Sequence, residues 1–352
     1  MTATASTGRV ATGSRSRRRP VVAFWSLAGL VLVLAGANLA MGAVAVAPSD
    51  VVGVLARKAG VALGDEPGFQ ATAVIWNIRI PRTVTGLVVG AGLGAAGAAL
   101  QGLFRNPLAD GQLLGLAPGA SLGAVFVLAA LAQGPEAALA GGAAGGIVTA
   151  LVVRRLDTRS GGDSLRTVVA GIALGAALSA WVGFVVFALD RGSVPPVEFW
   201  LLGSLTGSTG PVAVRTTLIV LLGVAVMAMA AGSLDVMALG KRDAEHLGID
   251  TTMVTAIVLL AVGATVGVTV GAVVVVGFVG LLSPHIARTL IGPRHLPLVL
   301  ASMLVGAALV SGSDLVARTI ASPIEIPVGL VTAAIGGPFF VWLLQRRRGF
   351  ST

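Results

Sequence analysis

The chain has 352 residues, of which 55% are hydrophobic and 11% are charged, and its mean hydropathy is +0.94. A soluble domain carries about 25% charged residues, so this composition excludes a soluble globular protein. The absence of cysteine excludes disulfides, thiolate metal sites and thiol nucleophiles. The net charge of +9 lies in short clusters between apolar runs, which is typical of membrane proteins, and we expect no nucleic-acid partner.

Ten apolar runs approach the length of about 20 residues that a helix needs to cross a bilayer. The first, 21–41, is longer than the core of a usual signal peptide, so we expect it to be retained; a cleaved signal peptide is the alternative. A mixed, loop-like stretch at 43–81 follows. The other nine runs are 83–104, 113–132, 137–153, 166–189, 212–231, 252–271, 273–291, 297–319 and 328–345. Because 252–291 is long for one helix and short for two, we expect a short or broken helix there.

Basic residues recur in alternate connections between these runs, beginning with the arginines just before residue 20. This bias favours an N-terminus in the cytoplasm, and an even number of spans then returns the C-terminus to the same side. The predicted fold is an all-α integral membrane protein with about ten transmembrane helices. It comprises a basic cytoplasmic tail at 1–20, a single transmembrane domain at 21–345 and a second basic cytoplasmic tail at 346–352.

Glycines recur at every fourth position within several of these runs. The three sets are Gly86, Gly90 and Gly94; Gly115, Gly119 and Gly123; and Gly263, Gly267 and Gly271. Spacing of four places each set on one helix face, where small residues let two backbones approach closely. The pattern predicts tight helix packing in preference to a ligand site.

The sequence carries no recognisable catalytic or metal-binding motif. Gly240-Lys241 lacks the upstream glycine and the hydroxyl residue of a nucleotide-binding P-loop, so the chain is not its own ATPase. The three histidines form no zinc-binding pair. We therefore expect no enzymatic activity, no cofactor and no metal site.

Ionisable residues are scarce within the apolar runs. Asp314 and Arg318 are four residues apart, which suits either an ion pair along one helix or a functional site. No series of Asp, Glu or His crosses the membrane, which argues against the alternative of an ion-coupled secondary carrier. The energy for transport would then come from a partner, or the protein would be a passive channel.

The cytoplasmic segment 233–250 is predicted to form two short helices. Each is followed by Leu-Gly, at Leu239-Gly240 and Leu247-Gly248, and glycine is a common helix stop. Leu234 gives the first helix part of a small apolar face, and such a helix can dock into a groove on a soluble partner. An ordinary connection between two spans is the alternative.

Several sequence motifs within residues 75–345 resemble motifs of one known family and occur in the same order as in that family. They are Arg79-Ile80-Pro81-Arg82, Gln101-Gly102-Leu103-Phe104-Arg105-Asn106-Pro107-Leu108-Ala109-Asp110, Leu114-Gly115-Leu116-Ala117-Pro118-Gly119, Phe199-Trp200-Leu201-Leu202-Gly203-Ser204, Gly277-Phe278-Val279-Gly280-Leu281-Leu282-Ser283-Pro284-His285, Ile326-Pro327-Val328-Gly329 and Gly336-Gly337-Pro338. Together they resemble the FecCD-type permease family of iron–siderophore, haem and cobalamin ABC importers.

The resemblance implies a type II ABC importer permease fold in the bacterial cytoplasmic membrane. It implies a second permease subunit, two ATP-binding subunits that hydrolyse ATP, and an extracytoplasmic substrate-binding protein. A ferric siderophore is the first choice of substrate, followed by haem, cobalamin or another substrate of ABC importers.

The resemblance also assigns roles to individual residues. Docking of the binding protein falls to Arg79, Arg82 and Arg318. The cytoplasmic gate comprises Asn106, Leu108, Ser164 and Leu165. Coupling to the ATPase involves Leu234, Met237, Leu239, Gly240, Ala244, Glu245, Leu247 and Gly248. Anchoring of Arg79 and Arg82 at the membrane interface, and pairing of Arg318 with Asp314 alone, are the alternatives.

Overall fold

The computed structural model describes residues 15–42, 44–61, 67–131, 134–189, 202–322 and 324–347. Regular structure in these ranges is helical throughout: α1 Arg15–Ala40, α2 Pro48–Lys58, α3 Phe69–Leu103, α4 Leu116–Val125, α5 Pro135–Arg159, α6 Ser164–Leu189, α7 Gly210–Met229, α8 Ala231–Met237, α9 Lys241–His246, α10 Thr251–Val273, α11 Val279–Ile291, α12 His295–Thr319 and α13 Val328–Arg347. Residues 1–14 and 348–352 of the predicted tails, and the motif residues Phe199, Trp200 and Leu201, lie outside the described residues.

The described helices confirm the predicted all-α membrane fold. Seven of them, α1, α3, α5, α6, α7, α10 and α12, are long and apolar enough to cross a membrane. Two shorter apolar segments, Leu116–Leu128 and Val328–Trp342, belong to α4 and α13, and α11 has 13 residues. Each of these ten helices overlaps one of the ten predicted runs, although several boundaries differ.

The predicted break within 252–291 falls between Val273 and Val279. Val274 and Phe278, at its two ends, each have a φ of 66°. A positive φ is an outlier for a β-branched or bulky residue. The chain changes direction here in five residues, and α11 is left too short for a full crossing, which confirms the prediction of a short or broken helix.

The prediction of a loop at 43–81 was wrong, because this stretch contains two helical segments. Helix α2 begins with a proline at its first position, and its buried Val51 and Val54 pack with Ile75 in a small core. Helix α3 begins at Phe69, 14 residues before the apolar run, and passes through a π-helical turn at Ile75–Arg79. Polar residues in this turn interrupted the apolar pattern without ending the helix.

Glycine contacts join the principal helix pairs. A β-carbon at Gly90 of α3 would overlap the carbonyl oxygen of Gly306 on α12, and one at Gly267 of α10 would lie against the carbonyl oxygen of Gly142 on α5. Gly123 of α4 meets α5 in the same way. The predicted packing role is confirmed at these positions, since these backbones approach to a distance that only glycine permits. Gly115 differs, because it precedes α4 with a φ of 78°.

Candidate functional site at the two ends of the bundle

Arg82 and Asp314 form the centre of a buried ionic cluster near the C-terminal end of α12, just after the π-helical turn of α3. The Arg82 Nη2 donates to Asp314 Oδ1 at 2.8 Å, and Arg82 Nη1 donates to Glu325 Oε2 at 2.8 Å. The side chains of Arg82 and Asp314 are 9% and 3% exposed, whereas that of Glu325 is 35% exposed. The guanidinium group thus holds one buried and one accessible carboxylate.

The two other predicted docking arginines, Arg79 and Arg318, contact the end of α1. Arg79 donates to the carbonyl oxygens of Leu39 and Ala40 at 2.7 and 2.8 Å, and also to that of Val44. Arg318 Nη2 donates to the side-chain oxygen of Asn38 at 2.6 Å and to its backbone carbonyl at 2.7 Å. The guanidinium groups therefore fix the last turn of α1 onto the bundle.

Arg318 also forms an i,i+4 ion pair with Asp314, in which Arg318 Nε lies 3.7 Å from Asp314 Oδ2. Asp314 is nevertheless closer to Arg82, and the additional bonds to Asn38 show that Arg318 does not serve Asp314 alone. The three predicted docking residues are thus brought together around Asp314 and the end of α1. All three are buried, and their docking role stays a prediction.

The segment 233–250 contains the predicted coupling residues and is called the coupling segment below. It lies at the other end of the bundle and forms the two predicted short helices, α8 and α9. Gly240 and Gly248 follow them with φ of 141° and 84°, which confirms the glycine stops. The side chains that anchor the segment in the bundle are Leu234, Met237 and Ala244, which are at most 1% exposed.

The opposite side of the coupling segment faces outward. Leu239 and Leu247 are 68% and 65% exposed, and Glu245 accepts a hydrogen bond from Thr251 at the start of α10. Gly248 is exposed beside Leu247. The eight predicted coupling residues thus divide into a buried set of three, an exposed set of four that includes Leu247-Gly248, and Gly240, which is half-buried.

Asp157, in the last turn of α5, connects the coupling segment to two other helices. Its carboxylate accepts a hydrogen bond from Lys241 Nζ, at the start of α9, at 2.9 Å. It also accepts one from the Thr167 hydroxyl, in the first turn of α6, at 3.3 Å. Asp157 is 6% exposed. One buried side chain therefore joins α9 to the ends of α5 and α6.

The predicted gate residues belong to two separate local structures. Asn106 accepts a hydrogen bond from the backbone N–H of Leu108 at 2.9 Å in the connection between α3 and α4. Ser164 and Leu165 begin α6, where Asp163 accepts from the Leu165 N–H at 3.0 Å. Among the described residues, no hydrogen bond or ion pair joins the two structures directly. The role of these residues as a gate stays a prediction.

Asp110, in the connection between α3 and α4, is a buried carboxyl that the sequence analysis did not single out as a site residue. Burial raises the pKa of Asp110, opposed by the backbone N–H groups of Gln112 and Gly111. Within the ranges that the structure describes, it forms no ion pair. A β-carbon at Gly280 would lie 2.9 Å from its Oδ1, so the carboxyl packs against the start of α11.

A second contact that sequence reasoning missed is partly buried and connects α8 with α12. His295 Nδ1 is 2.6 Å from Asp235 Oδ1, and the same oxygen accepts from the His295 backbone N–H. A β-carbon at Gly102 would overlap the His295 ring, so this contact also reaches the end of α3. Asp235 lies 60 positions from His295, and no sequence spacing could have joined them.

Comparison with known proteins gives matches along most of the chain. A model described as the FecCD transport family matches residues 30–346. An Fe(3+)-citrate import system permease protein of Bacillus subtilis is 33% identical over 333 residues, which cover 94% of this chain and 97% of that protein. A hemin transport system permease protein of Yersinia pestis is 35% identical over 281 residues, which cover 78% of this chain and 84% of that protein.

The similarity extends to a cobalamin import system permease protein of Halobacterium salinarum, at 35% identity over 79% of this chain and 74% of that protein. Among solved structures, an inward-facing conformation of a metal-chelate type ABC transporter matches with a TM-score of 0.79 at 27% identity. The match covers 92% of this chain and 98% of that chain. Sequence and fold therefore agree over nearly the whole length.

Proposed function

The chain belongs to the FecCD transport family, and from that premise we propose that it is the permease of an ATP-driven importer for a ferric siderophore or a related metal chelate. The coupling segment is the observation that carries this proposal. Its two short helices are anchored by buried side chains and present two exposed leucines outward. A groove on a soluble ATPase subunit can bind such a surface. A movement of the coupling segment would then pass through Lys241 to Asp157.

The choice of substrate is supported by the relatives. Their names refer to iron citrate, hemin and cobalamin, all of which are metal chelates. A ferric siderophore belongs to the same chemical class. Haem and cobalamin are the next candidates for this chain.

The proposed assembly has a second permease subunit, two ATP-binding subunits and an extracytoplasmic substrate-binding protein. We place it in the bacterial cytoplasmic membrane with both termini in the cytoplasm, as the arginine and lysine distribution favours. The coupling segment and the gate residues Asn106, Leu108, Ser164 and Leu165 then lie on the cytoplasmic side, and the Arg82 cluster lies on the outer side. Hydrolysis belongs to the ATP-binding subunits, and this chain makes and breaks no covalent bond.

Uptake of iron-loaded siderophore in a strain lacking the permease tests the energy source. We expect uptake to return with the gene, to require the partner ATPase, and to continue when a protonophore is added while ATP is maintained. Uptake that persists without the ATPase, or that stops with the protonophore at constant ATP, would identify an ion-coupled carrier instead. Haem and cobalamin tested in parallel distinguish the substrates.

Docking through Arg79, Arg82 and Arg318 is tested by two variants that break the same internal ion pair. Arg82→Gln removes the cation, whereas Asp314→Asn removes only its buried partner. If Arg82 holds a glutamate of the binding protein, Arg82→Gln should weaken docking about 10-fold or more, and Asp314→Asn should change it little. Equal affinities of the two variants, measured by titration of the purified transporter, would show that the arginine has only an internal role.

The coupling proposal predicts that Lys241→Met uncouples the transporter. The change leaves Asp157 buried with Thr167 as its remaining side-chain partner, so the free energy of unfolding should fall by about 1–3 kcal/mol. We expect uptake to fall roughly 10-fold while the partner ATPase continues to hydrolyse ATP. Paired uptake and phosphate-release assays in proteoliposomes measure the number of substrate molecules taken up per ATP hydrolysed.

Two further variants separate coupling from stability. Lys241→Met combined with Asp157→Asn removes both charges, so stability should recover while uptake stays low. Arg57→Met removes an exposed cation on α2, outside the coupling segment, and serves as the control. Recovery of uptake together with stability in the double variant would mean that the ion pair is structural only.

A further inference from the structure

An open cavity of about 720 Å³ lies between the ends of α5 and α10, and none of the site residues described above lines it. One part of its wall is aliphatic and consists of Val148, Leu151 and Val152, which are 59%, 42% and 38% exposed. The other part is formed by the last residues of α5 and by Thr252 of α10. Apolar and polar surface are thus separated along the axis of α5.

The polar part of the cavity is strongly basic. Its lining includes Arg154, Arg155 and Arg159, together with Thr158. Within the part of the chain that the structure describes, none of these three arginines forms an ion pair with a carboxylate. Asp157, which lies between them in sequence, is turned inward to Lys241. The cavity therefore offers three guanidinium groups to an anion.

The position of the aliphatic wall limits what the anion can be. At a rise of about 1.5 Å per residue, Val148 lies about 16 Å along α5 from Arg159, which is on the order of half the hydrocarbon thickness of a bilayer. A soluble protein segment that reached the arginines from the water would leave this wall uncovered. An amphiphile lying along α5 would cover both parts.

We propose that this cavity binds an anionic phospholipid of the adjacent leaflet. Its phosphate would lie between Arg154, Arg155 and Arg159, and the upper part of an acyl chain would lie against Val148, Leu151 and Val152. Basic pockets at the ends of membrane helices are suited to anionic headgroups, and paired N–H donors of arginine match phosphate oxygens. The inference concerns a site that is independent of substrate and of ATP.

The experiment measures binding of phosphatidylglycerol, phosphatidylcholine and glycerol phosphate to the purified full-length permease, by native mass spectrometry in detergent. We expect phosphatidylglycerol to bind in preference to the other two. The triple variant Arg154→Gln, Arg155→Gln, Arg159→Gln should bind it roughly 10- to 100-fold more weakly. Equal binding of phosphatidylcholine, or equally tight binding of glycerol phosphate, would overturn the proposal, because it requires both the charge and the chain.

Two variants control for general surface charge and for the cavity itself. A second triple variant removes the same charge from exposed arginines outside the cavity and should leave lipid binding unchanged; it is Arg105→Gln, Arg242→Gln, Arg294→Gln. Thr252→Trp keeps the charge and obstructs the cavity, so it should weaken binding. If both triple variants weaken binding equally and Thr252→Trp does not, the lipid is attracted by overall charge and the site does not exist. If Thr252→Trp binds phosphatidylglycerol normally but no longer binds the ATPase subunit, the cavity is a protein interface and the proposal is wrong.

Discussion

Replacing Gly90 with leucine should prevent the permease from folding to its native state. A β-carbon at this position would overlap the carbonyl oxygen of Gly306, so the added side chain meets backbone on α12. Overpacking against adaptable side chains costs about 1–3 kcal/mol, and a backbone obstacle that cannot rotate away should cost more than about 3 kcal/mol. The yield of monodisperse protein in detergent and its thermal unfolding are the measurements.

Gly29→Leu is the matched control for this prediction. Gly29 lies on α1, and the space around its position is open to at least 4 Å. The same substitution should therefore leave the midpoint of unfolding within a few degrees of that of the parent protein. A Gly90→Leu protein as stable as Gly29→Leu would show that α3 and α12 separate easily, contrary to the packing described above.

Asp314→Ala should be the most damaging change among the acidic residues. The substitution removes the carboxylate between Arg82 and Arg318 and leaves two buried guanidinium groups beside each other. Breaking a buried ion pair from one side costs about 3–5 kcal/mol, because the remaining charge is left without compensation. Arg82 retains Glu325, and Arg318 retains Asn38, so the lower part of that range is expected. Thermal unfolding of the purified protein measures the loss.

Asp163→Ala is the control for the acidic cluster. Asp163 also pairs with an arginine, Arg166, but their side chains are 45% and 78% exposed. An exposed pair contributes between about 0 and 1 kcal/mol. Loss of the hydrogen bond that Asp163 accepts from the Leu165 N–H at the start of α6 adds about 1 kcal/mol, so this variant should lose less stability than Asp314→Ala. Equal losses for Asp163→Ala and Asp314→Ala would contradict the view that burial sets the cost of breaking the pair.

The helix content of this protein could be predicted because each span is encoded locally. Continuous apolar runs, the four-residue spacing of Gly263, Gly267 and Gly271, and the Leu-Gly stops of the coupling segment each act within one helix or one turn. The same applies to the broken helix before Val279, which follows from the available length. The boundaries at 43–81 were missed because Arg79 interrupts the hydrophobic pattern, although its guanidinium group is satisfied by carbonyl oxygens of the chain.

The partners of the charged residues could not be predicted, because they are distant in sequence. Arg82 and Asp314 are 232 positions apart, and Lys241 and Asp157 are 84 apart. The resemblance assigned Arg82 and Arg318 to one docking surface, but it could not distinguish an arginine that faces water from one that pairs internally. That distinction depends on the three-dimensional approach of α1, α3 and α12.

The glycine contacts between α5 and α10, and between α3 and α12, also restrict how these helices can move past each other. A slide by one residue would bring a larger side chain, such as that of Ala143, to the place where Gly142 now meets Gly267. Each pair is therefore locked in register and can tilt or turn only as a unit. An alternating-access cycle in this chain would consist of rigid-body rotations of such pairs, with bending confined to connections such as 274–278.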